Sequence, residues 1–196
     1  LMTNELEVLG NKFFVFDPDE LPSLSLSTNV ALSPRLTSEV SLVIITPVLL
    51  QNAARKLQAH KEALGIPTAV WTTNEIYDAF GYGNPDISAI RNAIAHQFHF
   101  KGGLQNVLIL GKGTFDYKGK LGGRPNLVPT YTSRNSLNPL QTYSSDDYFG
   151  LVDWSQGVWE ESREGDELLQ IGIGRIPAIN FSEANAMIDK IIAYEN

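Results

Sequence analysis

Apolar and polar positions follow two regimes along the chain. From Leu6 to Phe16, β-forming residues cluster on either side of Gly10-Asn11. Glycine at the first central position suits a type II′ turn, so the spacing predicts a hairpin. Such a ribbon is marginal alone, and its Phe13, Phe14 and Phe16 are expected to dock on another surface. Asp17 to Ser38 is polar and Pro- and Ser-rich, with Pro18, Pro22 and Pro34, and reads as a connector. A domain boundary is expected near Thr37. Beyond it, short apolar runs alternate with amphipathic stretches. Ser41 to Thr46 is a continuous apolar run, typical of a strand buried on both faces. A helix is predicted over 47–64, with Leu50, Ala53, Ala54, Leu57 and Leu64 as its apolar stripe and Gly65 at C′. Thr68–Thr72 is a second strand. Asn84-Pro85 reads as an N-cap followed by proline at the first helical position, opening a helix that carries Ile87, Ile90, Ile94 and Phe98 on one face. Asn106–Leu110 is a third central strand. Gly111 to about Ser145 is long and irregular, rich in Gly, Pro, Asn and Ser. Tyr148–Val152 is predicted as a short strand and Leu169–Ile176 as another. Ser182–Tyr194 closes the pattern as a helix with Ala184, Met187, Ile188, Ile191 and Ile192 inward.

Strands alternating with helices imply an α/β domain with a mostly parallel sheet, covered on both faces and joined by right-handed crossovers. The 196 residues suffice for one such domain and an appendage. Composition is that of a globular chain, 43% apolar and 19% charged. The net charge of −7 repels phosphate backbones and argues against nucleic acid as a partner. No apolar run reaches the ~18 residues of a membrane-spanning helix. The chain has no cysteine, so it contributes neither a disulfide, nor a thiolate metal ligand, nor a cysteine nucleophile. Leu1 precedes Met2 and no secretory signal opens the chain, which suggests an excised segment of a longer protein.

In open α/β sheets, ligands bind beyond the carboxyl ends of the strands. The loop after the third central strand reads Gly111-Lys-Gly-Thr-Phe-Asp116. It is not a phosphate loop, because Gly113 interrupts the Gly-Lys-Thr triplet and no glycine stands four residues before it. Asp116, Asp146 and Asp147 are candidate ligands for a hard cation, calcium first, although their spacing is not that of an EF-hand. No other cofactor is expected. The competing role of Asp146 and Asp147 is to cap a turn or to pair with a base. Arg175 ends an apolar strand and is expected to be partly buried and paired with one of them, since a buried guanidinium needs a partner. His60, His96 and His99 fall in helical segments without a His-Glu-x-x-His pattern, and helix surface is their expected place. No Gly-x-Ser-x-Gly elbow marks a serine hydrolase. Trp154 to Glu167 mixes two tryptophans with five acids and reads as a solvated loop or a contact surface.

The order of several short pieces carries more than any one of them. Thr73-Asn-Glu-Ile-Tyr-Asp-Ala-Phe-Gly-Tyr-Gly-Asn-Pro-Asp86 leads to Ala89-Ile-Arg91, then Val107-Leu-Ile-Leu-Gly111 with Thr114-Phe-Asp-Tyr117. Val128-Pro-Thr-Tyr131, Ser145-Asp-Asp-Tyr-Phe-Gly150, Ile173-Gly-Arg-Ile-Pro177, Glu183-Ala184 and Lys190-Ile-Ile-Ala-Tyr194 follow. In series, over about 41–196, this resembles the first subdomain of the gingipain-type cysteine peptidases. The Ile76-Tyr77, Gly83-Asn-Pro-Asp86 and Ser145–Gly150 pieces resemble in particular the sortase branch that serves type IX secretion. Lys112 stands where the family pattern has an acid.

The resemblance implies a caspase-like three-layer sandwich preceded by a β-hairpin. Residues 1–36 would be the hairpin and connector of a preceding β-rich region, and 37–196 the first subdomain, ending before the catalytic one. It further implies a parent protein at the bacterial outer-membrane surface. Its partners would be the downstream catalytic subdomain, type IX secretion components and cargo. Such enzymes remove a C-terminal sorting signal from cargo and attach the cargo to the cell surface. Their catalytic histidine and cysteine lie downstream, so no residue here inherits either role, and the chain alone is expected to be inactive. The competing expectation is a flavodoxin-like module that binds a small ligand or a protein without peptidase activity.

Overall fold

The computed structural model describes residues 4–8, 11–15, 39–117, 119–120, 122–123, 126–133, 143–153 and 168–195. The chain divides into two units, Leu1–Val30 and Ala31–Asn196. In the first, β1 (Asn4–Val8) and β2 (Asn11–Val15) pair antiparallel with Val8 opposite Asn11. The turn expected at Gly10-Asn11 has its glycine outside the described residues. The side chains of Phe13, Phe14 and Phe16, the connector, the boundary near Thr37 and the Trp154–Glu167 loop lie outside the described residues.

The second unit is built on β3 (Leu42–Thr46), β4 (Thr68–Thr72), β5 (Asn106–Leu110) and β8 (Gly172–Ile176), all parallel in the order β4-β3-β5-β8. Two two-residue strands, β6 (Tyr131–Thr132) and β7 (Ser144–Ser145), pair antiparallel within the irregular region. The helices are α1 (Gln51–Ala63), α2 (Thr73–Phe80), α3 (Ile87–His96) and α4 (Phe181–Glu195). Strand side chains alternate between two cores. Val43, Ile45, Val107 and Ile109 meet α2, α3 and residues 148–152 on one face. Ile44 and Leu110 meet α1 and α4 on the other. The result is the three-layer α/β sandwich expected of the sequence.

Several boundaries differ for identifiable reasons. A 3₁₀ turn, Val48–Leu50, separates Pro47 from α1, which begins only at Gln51. At the end of α1, Gly65 has φ +79°, Gly65 N–H donates to Glu62 O and Ile66 N–H to Lys61 O, a Schellman closure. Leu64 is the C-cap and half exposed, because the chain leaves the helix there instead of continuing the stripe. α2 is a helix that the apolar spacing does not predict. It opens with a capping box in which Thr72 and Glu75 satisfy each other's backbone N–H. α3 is capped by Asp86, not Asn84, through Asp86 Oδ1 and the Ser88 N–H. Tyr148–Val152 is not a strand: Asp147–Phe149 is a 3₁₀ turn that buries Tyr148 and Phe149. β8 starts at Gly172 because its neighbour β5 starts at Asn106, opposite it. Met187 lies at the rim of α4, while Ala184 and Ile188 are buried.

Candidate functional site

The chain runs from β3 out to β4 and then returns to the other side of β3 to form β5. The order therefore reverses at β3 and β5, where a parallel sheet opens a crevice beyond its carboxyl ends. Gly111 follows β5 with φ +145°. A Cβ there would lie 2.9 Å from Val128 Cγ2 and 3.3 Å from Pro47 Cδ. Only glycine lets the 126–132 segment lie this close over the strand ends. The backbone of Lys112 holds the same segment, its carbonyl accepting from Leu127 N–H and Val128 N–H, while its N–H donates to Ala178 O.

Arg175 is the centre of this edge. Its Nε and Nη2 donate to the two oxygens of Asp146, both at 2.7 Å, a bidentate fork. Nη1 donates to Gly111 O at 2.7 Å and Val128 O at 2.8 Å, and Nη2 also to Pro129 O at 3.1 Å. All five guanidinium hydrogens are thereby used. The pair is mostly buried, with side-chain exposures of 13% for Arg175 and 22% for Asp146. Thr130 Oγ lies 3.0 Å from Asp146 Oδ1 and donates there or to Ser145 O.

Of the other candidates, Asp147 is exposed, and its N–H donates to Ser145 Oγ. Asp116 Oδ1 accepts from Lys120 N–H. Among the described residues no three His, Asp or Glu side chains are grouped as a metal ion would need. His60 Nε2 meets Glu195 at 3.0 Å on the helical surface. His99 Nε2 lies 3.0 Å from Val152 O. His96 departs from the surface expected of it. It is half buried between the rings of Phe80 and Phe100, and its Nδ1 is enclosed without a hydrogen-bond partner.

Two cavities open along this edge. One, of about 640 Å³, is lined by Pro47, Thr73, Tyr77, Asp86, Tyr117 and the 126–132 segment. Burial, and then the charge of Asp86, push the Tyr77 hydroxyl up to about 12, with Arg175 opposing the shift. The other, of about 450 Å³, lies beyond β5 and β8 and is lined by Lys112–Phe115, Thr130, Ser144–Asp146, Arg175 and Pro177. Tyr77 and Thr130 were not legible as site residues, because the segments that meet at them are 53 positions apart in sequence. The Thr72-x-x-Glu75 pattern, which seats Tyr77 on a helix, was the available signal.

Residues 35–196 match the family model of peptidase family C25. The chain belongs to that family. As a C25 chain it carries the sheet and helices described above, but no cysteine. Its fold is similar to that in the crystal structure of dimeric latent PorU from Porphyromonas gingivalis, with a TM-score of 0.60 and 23% identity. The similarity covers 79% of this chain and 15% of that one, so the C25 chain described here spans a small part of PorU. No curated protein matches it.

Proposed function

We propose that this chain is the non-catalytic half of a PorU-like cysteine endopeptidase of the sortase type. In that role the complete protein removes the C-terminal sorting signal of type IX secretion cargo and attaches the cargo to the cell surface. The observation that carries the reading is a cysteine-peptidase family segment with no cysteine. Attack on an amide needs a thiolate, an imidazole to move the proton and donors for the oxyanion. The thiolate has to come from elsewhere in the parent polypeptide. What this half contributes is a rigid edge: four parallel strand ends, overlaid by a segment that Arg175 and Gly111 hold down. The downstream catalytic subdomain, secretion components and cargo would be its partners, at the outer-membrane surface.

The test compares three purified proteins on fluorogenic peptides and on cargo bearing its sorting signal. They are this chain, the parent polypeptide, and the parent with its catalytic cysteine replaced by alanine. Cysteine-dependent turnover by the parent and none by this chain is the expected result. Turnover by this chain that survives repurification and scales with its concentration would overturn it.

A further inference from the structure

The smaller cavity holds more donors than its own acceptors use. Arg175 and Asp146 both line it, and they fork each other, so together they add little net charge. Lys112 lines it as well, half buried and, among the described residues, with no acid within ion-pair distance. Around it stand hydroxyls that donate to no acceptor among the described residues. Thr114 Oγ only accepts, from Asp116 N–H at 3.2 Å. Ser145 Oγ only accepts, from Asp147 N–H at 3.1 Å. Ser144 lines the same wall beside them. The carboxylates nearest in the chain, Asp116 and Asp147, do not line the cavity.

We infer that this cavity binds an oxyanion, a carboxylate or a phosphate monoester, with Lys112 as its counter-charge and Thr114, Ser144 and Ser145 as its donors. Three arguments converge. First, the described lining sums to one positive charge, two cations against one anion, in a chain whose net charge is −7. A locally cationic hollow on an acidic protein concentrates anions where the rest of the surface repels them. Second, hydroxyl donors and an ammonium match acceptor oxygens with a negative charge, and charge-assisted hydrogen bonds are the stronger kind. Third, about 450 Å³ is the size of a small-molecule site rather than of a bare ion. Its position beyond the carboxyl ends of β5 and β8 is where parallel sheets present ligands. The exposed ring of Phe115 and Pro177 at the margin would flank the organic part of such a ligand. The inference concerns binding alone and stands or falls independently of the peptidase reading.

The experiment titrates the complete 196-residue chain with acetate and, separately, with phenyl phosphate at constant ionic strength, following backbone amide shifts by NMR. At least one probe should saturate, with the largest shifts at Gly113, Thr114, Ser144 and Ser145. Saturation by acetate alone identifies a carboxylate site, by phenyl phosphate alone a phosphate site, and by both a general oxyanion site. Lys112→Gln should weaken the better probe about tenfold, which is about 1.4 kcal/mol. Lys112→Arg should retain it. Thermal melting of each variant checks that the fold survives, since the backbone of Lys112 and not its side chain holds the neighbouring segment. Equal affinity in wild type and Lys112→Gln, or no saturable shift from either probe, overturns the inference.

Discussion

Two arginines do similar work on the same side of the sheet by different means. Arg175 reaches from β8 and fastens the 126–132 segment over the strand ends, using a carboxylate fork and three carbonyls. Arg91 reaches from α3 into the turn after Phe149. Its Nε donates to Leu151 O and its Nη2 to Asp153 O, each at 2.7 Å, and its guanidinium lies 6.0 Å from the centre of the Tyr148 ring. Arg91 is the more deeply buried, at 3% exposure, yet its described partners are carbonyls and a ring. Burial lowers its pKa, with Tyr148 and the charge of Asp153 opposing. Arginine keeps its proton all the same. Backbone carbonyls must find donors wherever an irregular segment is buried, so Arg91 satisfies acceptors that the fold already had to satisfy. Asp146 brings a desolvation cost of its own and returns a fixed orientation, because a planar fork accepts one geometry.

The largest effect should come from breaking the fork on one side. Arg175→Met strands a mostly buried carboxylate and three carbonyls, and should cost about 2–4 kcal/mol, near the range for a broken buried pair and reduced by partial exposure. Denaturant melts measure it. Adding Asp146→Leu to Arg175→Met should recover part of the loss, because the stranded charge goes with it. Further loss in the double variant would show that the cost is packing and not charge.

Arg91→Met should cost less, about 1–3 kcal/mol, the range for leaving buried acceptors without donors. No second substitution should rescue it, since its partners are backbone atoms. If the two arginine variants rank the other way, the carboxylate is not what separates the two sites.

Tyr77 offers a smaller and purely electrostatic probe. One phenol should stay protonated until about pH 12 in an ultraviolet titration. Tyr77→Phe should remove that step, and Asp86→Asn should move it down while keeping a competent helix cap. The folded value is raised above the ordinary 10, so this contribution to stability is complete below pH 10 and is lost as pH climbs towards 12.

The smallest effect belongs to the surface pair that joins the ends of α1 and α4. The Lys61 hydrogen bond, helped by the Lys61 charge and by His60, lowers the pKa of Glu195 from 4.5. A depressed carboxyl stabilises the fold above its unfolded value, and that contribution fades as pH falls below 4.5. Glu195→Gln should cost at most about 1 kcal/mol at pH 7 and nothing at pH 2. A loss as large as that of Arg175→Met would mean that exposed and buried charges are not distinguished here.

The hydrophobic pattern determined by itself the three central strands, the α/β class and the existence of α1, α3 and α4. Its force comes from burial on both faces, which leaves Val43, Ile44 and Ile45 no polar alternation to follow. The ordered motifs determined the family, and the missing cysteine determined that this chain supplies no thiol. Only the tertiary structure decided the rest. α2, with eight residues, is too short for periodicity and is announced by its cap alone. The apolar stretch at 148–152 is held as a turn and loop, with Arg91, 60 residues earlier, donating to Leu151 O. Arg175 needed an acid on chemical grounds, but two adjacent aspartates were available. The 3₁₀ turn at 147–149 leaves Asp147 exposed, and Asp146 meets the guanidinium. Such choices turn on which residues distant in sequence arrive at the same place, and local pattern carries no record of that.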